Sequence, residues 1–407
     1  MFCKHVWRAA APFVGASTAL KRTLSCSAYS HASAGHVAPR CGLDQNGDGR
    51  DNLLDYYRRH WDDRVAADDP TVKQLTGRIE RGERSALAES ITLVESRHPT
   101  KRAQGERILQ NLLQNSSKRL QTQGPSSLIY RVAITGSPGA GKSTFIEVFG
   151  LYLIKELKKK VAVLTVDPSS ARTGGSIMGD VARMTNLSRE HDCYIRPSAT
   201  SGSLGGVRSG THESVVFCEG AGYDIVLIET VGVGQSESAV VDIADMVVLL
   251  LSPALGDELQ GLKRGIMENV DLIVVTKADG DLANAAIATR SQFLSALHYI
   301  QSRFKAWQPT VLLASAVSKK GIPEVWKAMS DFREAVTASG ELLDQRNKQM
   351  TDWMWNHVDD VLAKLFRSHP GVLKQAPEMI EEIKRGQLTP VLAAEHLMRH
   401  FLRISES

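Results

Sequence analysis

Between Gly136 and Ser143 the chain reads GSPGAGKS, directly after the apolar run RVAIT and directly before a stretch of helical periodicity. Residues of these types at this spacing can hold a polyphosphate. Gly136, Gly139 and Gly141 free the backbone to turn successive N–H groups inward on anionic oxygens. The helix that follows aims the positive end of its dipole at the same anion. Ser137, Pro138 and Ala140 complete the loop, and Lys142 supplies a point charge for the β- and γ-phosphates. The Ser143 hydroxyl is placed to hold Mg²⁺ against them, and Thr144 continues the first helical turn. A plain glycine turn between strand and helix is the structural alternative, but every position of the phosphate-loop pattern is filled.

A second group of residues reads a base. TKAD, Thr276 to Asp279, follows the apolar run DLIVV. At an NKxD pattern the Asp carboxylate accepts hydrogen bonds from guanine N1 and N2, and the Lys stem lies along base and ribose. Lys277 and Asp279 therefore argue for guanine over adenine. Thr276 stands where Asn is usual, which removes one polar anchor and predicts softer selectivity. Ser315, Ala316 and Val317, at the end of a later run, resemble the loop whose backbone N–H groups meet guanine O6.

Acidic residues at strand ends supply the metal and switch chemistry. Glu229 ends DIVLIET and is placed to order Mg²⁺ or its water, with Gly232 and Gly234 freeing the loop beyond; a simple strand-end cap is the alternative. Gln235 resembles a water-orienting glutamine in kind but not in spacing. Asp167, ending VAVLTV, is a further metal candidate, and Asp180 and Arg183 are candidate catalytic contacts beside Lys142 and Glu229.

These residues need a scaffold that brings strand ends together. RVAIT, VAVLTV, DIVLIET, MVVLLL, DLIVVT and TVLLAS are short β-branched runs without alternation, as expected of strands buried on both faces of a parallel sheet between helices. The ligand then belongs at the C-terminal edge of the strands. The predicted fold is an α/β P-loop NTPase with a mostly parallel sheet over 126–335. Helical periodicity over 69–125 (Val72, Leu75, Ile79; Leu87, Ile91, Val94; Ile108, Leu109, Leu112) predicts a helical lead-in. The 336–407 stretch carries two further apolar stripes, Met350, Met354, Val358, Val361, Leu365 and Met379, Ile380, Ile383, Leu388. It is expected to form a helical dimerisation appendage, with Trp353 and Trp355 anchoring the contact.

The chain has 407 residues, 43% hydrophobic and 23% charged, enough for one large α/β domain with appendages. No apolar stretch approaches a membrane span. Residues 1–43 carry Lys4, Arg8, Lys21, Arg22 and Arg40 and no acid before Asp44. Rich in Ser and Ala with scattered apolar residues, they predict a mitochondrial targeting peptide; a disordered basic tail is the alternative. Residues 44–68 read as a linker, and the calcium-loop likeness of DQNGDGRDNLLD fails for want of a preceding helix. Cys3, Cys26 and Cys41 lie in the leader; Cys193 and Cys218 have no ligand-spaced partners, so neither disulfides nor structural zinc are expected.

GSPGAGKST, TVDPSS, ETVGVGQSE, SPALGDELQGLKRGIMENVD and TKADGD together resemble the MeaB/ArgK family of GTPases, over most of the chain from near Ala86. The resemblance implies a homodimeric GTPase, using GTP/GDP and Mg²⁺, that acts as a chaperone for adenosylcobalamin-dependent methylmalonyl-CoA mutase. It gates cofactor loading and protects or reactivates that client, here in the mitochondrial matrix. It places the phosphate loop on Ser137 to Thr144, the metal and switch carboxylates on Asp167, Asp180 and Glu229, and the base loops on Lys277, Asp279 and Ser315 to Val317. A partner-sensing loop falls on Ser252 to Lys263, with Asp257 and Lys263 its charged residues. No cobalamin-binding run is present, nucleic acid is not an expected partner, and no membrane span is expected. A metal-insertion GTPase and a small-molecule kinase share this phosphate chemistry and remain as alternatives.

Overall fold

The computed structural model describes residues 65–66, 68–96, 98–166, 183–198, 204–230, 241–253 and 264–402, with backbone alone for 198, 204–209 and 264–265. The leader, the linker up to 64, and the stretches holding Asp167, Asp180, Gln235, Asp257 and Lys263 lie outside them. The chain divides between Gly47 and Asp48, and every described residue belongs to the second unit.

Seven strands, β1 Tyr130–Gly136, β2 Val161–Val166, β3 Cys193–Ser198, β4 Ile225–Thr230, β5 Met246–Leu251, β6 Leu272–Val275 and β7 Thr310–Leu313, form one sheet. Its order is β3-β2-β4-β1-β5-β6-β7, and every pairing is parallel. β1 lies between β4 and β5, with Ile134 paired to Glu229 on one side and Gly136 to Leu250 on the other. That register carries the phosphate loop and Glu229 to the same edge.

The lack of alternation in the strand sequences has a direct cause. In β5, Val247, Leu249 and Leu251 enter one core while Met246, Val248 and Leu250 enter the other, so both parities must be apolar. β3 is the strand that periodicity misses. It sits at the edge of the sheet, where Pro197 and a charged Arg196 are tolerated. Arg196 leaves the sheet to meet Glu95 at 2.8 Å, pinning the N-terminal helices to that edge.

The described helices are α1 Pro70–Glu80, α2 Arg84–Val94, α3 Pro99–Gln123, α4 Lys142–Lys155, α5 Leu204–Gly220, α6 Arg264–Met267, α7 Ala283–Leu297, α8 Ile322–Ala338, α9 Glu341–Ser368, α10 Pro370–Lys384 and α11 Pro390–Leu402. α1 starts where Asp69 Oδ1 accepts the N–H groups of Thr71 (2.9 Å) and Val72 (3.1 Å), with Pro70 opening the helix. The apolar stripes of α1 to α3 are buried with α5, α7 and one sheet face, whereas α4 and α8 cover the other face. No helix among the described residues is long and apolar enough to cross a membrane.

α9 has two halves. Its first turns are bound to the sheet: Gln345 and Gln349 each donate to Ala244 O at 2.9 Å, and Arg346 grips Asp245. Trp353 does not face outward as expected. Its indole stacks on His212 of α5, with ring centroids 4.6 Å apart and planes 7° from parallel, because the helix still rides on the domain at that turn. Beyond it Met354, Trp355, Val358 and Leu362 are exposed.

Candidate nucleotide site

Gly136 ends β1 at φ +148°, and a Cβ there would lie 2.2 Å from Leu250 O of the neighbouring strand, so only glycine lets the chain leave the sheet at this point. Gly141 adopts φ +82° as the N-cap of α4. Lys142, buried at the start of that helix, donates through Nζ to Gly136 O (2.7 Å) and Ser137 O (3.1 Å), placing its charge across the loop. Ser137 is half-buried, Pro138 and Gly139 are exposed, and Ala140 is buried; Thr144 is exposed on the first helical turn.

Ser143 Oγ donates to Glu229 Oε1 at 2.8 Å. Behind them Thr230 Oγ1 and Thr135 Oγ1 are 3.1 Å apart, tying the ends of β4 and β1 together. The hydroxyl and the buried carboxylate form a hard oxygen pair beside the phosphate loop. Such a pair suits Mg²⁺, which takes one or two protein oxygens and completes its shell with water and substrate phosphates.

The two loops expected to read the base meet each other, and the first of them also meets the phosphate loop. Asp279 Oδ2 accepts the Ser315 hydroxyl, and Ser315 Oγ in turn accepts the Ser318 N–H at 3.0 Å, which fixes the carboxylate's orientation. Ala316 is half-buried and the Val317 side chain stands in solvent. Lys277, held at φ +52°, lays its stem over the glycine loop and donates to Gly139 O at 2.9 Å. Thr276 reaches Ala140 O at 2.7 Å.

Lys142, Ser143, Glu229, Lys277, Asp279 and Ser315 are thus brought to one end of the sheet. Asp167 and Asp180 fall outside the described residues. Arg183 is described and exposed, and the adjacent Met184 is buried in the core. Two contacts escaped the sequence reading. Thr276 looked like a lost anchor, whereas its hydroxyl spans two loops. Glu147, on the inner side of α4, accepts the N–H groups of Asn186 (2.8 Å) and Leu187 (3.1 Å), fastening the chain just beyond Arg183 to the phosphate helix. An acid within the otherwise apolar FIEVFGLYLI was the available signal.

A group of buried charge pairs lies at the opposite ends of the strands. Burial alone would raise the Asp245 carboxyl, but the charge and hydrogen bonds of Arg346, together with Arg131, hold it below the usual range. Arg131 also meets Glu219 at 3.2 Å. Asp271 rises to about 6 because burial outweighs the attraction of Arg303, 2.7 Å away. His212 falls to about 3 through burial and the nearby charge of Arg131. These groups precede or open β1, β5 and β6, or face α9, so they secure the fold at the end remote from the phosphate loop.

The family described as "Methylmalonyl Co-A mutase-associated GTPase MeaB" matches residues 87–370. The chain is 53% identical over 355 residues to the methylmalonic aciduria type A homolog, mitochondrial, of Caenorhabditis elegans, covering 87% of this chain and 89% of that one. It is 46% identical to the GTPase ArgK of Escherichia coli, covering 73% and 86%. A solved structure described as an LAO/AO transport system kinase superposes with a TM-score of 0.63 at 34% identity, covering 82% of this chain and 99% of that one. The match spans the phosphate loop, Glu229 and the stretches 276–279 and 315–317, and the chain accordingly belongs to the MeaB family and is a GTPase.

Proposed function

We propose that this GTPase works as a nucleotide-dependent chaperone of methylmalonyl-CoA mutase in the mitochondrial matrix, gating adenosylcobalamin loading and protecting or reactivating the enzyme. The observation that carries the nucleotide half is the convergence of Lys142, the Ser143–Glu229 pair and Lys277 on one loop, with the Asp279–Ser315 pair just beyond Lys277. The client half is supported by the family's description and by the name of the worm relative.

In this reading the loop Gly136–Thr144 holds the phosphates, with Lys142 neutralising charge that develops during transfer. Ser143 and Glu229 would hold Mg²⁺, which when bound would supply positive charge to the nucleotide's phosphates. Asp279 accepts from guanine, and Ser315 fixes the carboxylate that does so. The exposed Met354, Trp355, Val358 and Leu362 form the face on which a second copy packs.

The test is binding of purified methylmalonyl-CoA mutase to the chain loaded with GDP or a non-hydrolysable GTP analogue, with GTP turnover measured alongside. Affinity should differ between states by about 5- to 150-fold, the ordinary range of coupling between sites. A slow basal rate should rise on addition of the mutase. Absence of binding in every nucleotide state sinks the client assignment. For the dimer, light scattering at micromolar concentration should give twice the chain mass, and a stable monomer removes it.

A further inference from the structure

Glu147 is an acid set among the apolar residues of α4, only 8% exposed, and both its oxygens accept from backbone: Oε1 from the Asn186 N–H at 2.8 Å and Oε2 from the Leu187 N–H at 3.1 Å. A buried carboxylate is costly to desolvate, and an aliphatic side chain at this place would serve the core as well. What the carboxylate adds is a fixed place for two successive peptide groups of a chain that returns from 39 positions away.

The rest of the contact is made for close approach. Gly150, three residues on, presents no side chain, and a Cβ there would meet Leu187 Cδ2 at 2.7 Å. Leu187 and Met184 are fully buried in the core that holds Phe145, Ile146 and Phe149 of α4. The segment closes on itself where the Ser188 N–H donates to Met184 O at 2.9 Å, and Lys155 meets Glu190 at 3.0 Å further along the helix. Residues 184–190 thus ride on α4.

Glu147 follows Ser143 by four positions, so the tie lies on the helix face that carries the Ser143–Glu229 pair, about 6 Å along the axis from it. Arg183 precedes Asn186 by three residues, a span of at most about 11 Å. The backbone from which Arg183 departs is therefore held at a set distance from the metal and phosphate end of α4.

We propose that Glu147 is a positioning residue for GTP hydrolysis: by holding Asn186 and Leu187 against α4 it sets where Arg183 stands relative to the phosphates, and so acts on turnover and not on how tightly the nucleotide is held. This rests on Gly136–Thr144 being the phosphate site and on Arg183 contacting the reacting phosphate.

The full chain and its Glu147→Gln, Arg183→Met, double Glu147→Gln/Arg183→Met and Lys142→Ala variants are compared for single-turnover GTP hydrolysis with Mg²⁺, for GDP affinity by calorimetry and for urea unfolding. Glutamine keeps the shape and one acceptor but turns an N–H₂ donor on a peptide N–H. Glu147→Gln should lower the hydrolysis rate about tenfold, with GDP affinity within about twofold of the parent. In the Arg183→Met background the same change should alter the rate by less than about twofold, because the two residues act as one unit. Glu147→Asp, which shortens the reach, repeats the test should glutamine not fold. A merely structural role would lower the urea midpoint and leave the rate of the folded protein at the parental value, and that result overturns the proposal. So do an equal loss of rate in both backgrounds and an Arg183→Met protein of parental rate. A Lys142→Ala protein of undiminished nucleotide affinity instead removes the phosphate-site reading beneath it.

Discussion

Arg346 and Asp245 are joined twice, Nε to Oδ1 at 2.8 Å and Nη2 to Oδ2 at 2.7 Å, with both side chains buried. Asp245 also accepts the Arg131 N–H at 3.0 Å, so the first turns of α9 are wedged between the beginnings of β1 and β5. Removing the guanidinium leaves a buried carboxylate without its principal counter-charge. Arg346→Met should therefore lose about 3–5 kcal/mol of stability. A chain ending at Gly340 should fail to fold, whereas one ending at Asn356 should keep parental GDP affinity. Urea unfolding and GDP titration of the three proteins check this, and a well-folded chain ending at Gly340 contradicts it.

Lys142→Ala should abolish tight nucleotide binding while the fold persists, because the side chain donates to carbonyls of the phosphate loop itself. A charged hydrogen bond is worth about 1.5–3 kcal/mol, and phosphates receive more than one from this group. Calorimetry with GTP decides it: undiminished affinity in a folded variant removes the phosphate-loop assignment.

Asp279→Asn should exchange guanine for xanthine preference. The carboxylate held by Ser315 offers only acceptors, whereas the amide offers one acceptor and one donor. Competition between GDP and xanthosine diphosphate measures the change, and a variant that still prefers GDP as strongly as its parent argues against base contact by this residue.

At Gly136 a methyl group meets the Leu250 carbonyl at 2.2 Å, and the backbone is already at φ +148°. Gly136→Ala should lose at least ~2 kcal/mol and lower nucleotide affinity with it, since the loop must move away from β5. Thermal melts with and without GDP read both effects. An alanine protein with parental melting behaviour would mean that the loop leaves the sheet elsewhere.

His212 gives stability a pH dependence whose sign follows from its lowered value. Folded, it titrates near 3; unfolded, near 6.5. The unfolded chain alone takes up the proton between those values, so the histidine's contribution falls as pH drops below about 6.5 and reaches about 2 kcal/mol of loss at pH 5. Asp271 works in the other direction, its folded value of about 6 lying above its ordinary 3.8, so it favours the folded state as pH falls through 6. It is common to both proteins, and its effect cancels on comparison. His212→Phe keeps the stack on Trp353 and should lose about 2 kcal/mol less than the parent between pH 7.5 and pH 5. Equal losses in urea unfolding would show that the ring is protonated in the fold.

The chain's local order was enough to read what depends on contiguous residues. The phosphate loop requires its glycines, lysine and serine within one strand-to-helix turn, so eight residues reveal it. Both-sided burial makes the central strands apolar without alternation, and six of the seven were legible for that reason. β3 was not, since an edge strand can carry Arg196 and Pro197 without disturbing a ladder. Sequence could name Ser143, Glu229, Thr276 and Asp279 as candidates but not say what they touch. Ser143 meets Glu229 across 86 positions and Thr276 meets Ala140 across 136, distances that only the strand order closes. The same holds for α9: amphipathic spacing marked an apolar face, but which turns meet the sheet and which meet solvent was decided by where Asp245 and His212 came to lie. Spacing along a chain encodes local backbone demands, whereas long-range contacts arise from how the sheet orders its strands, and that order is set by packing the whole domain at once.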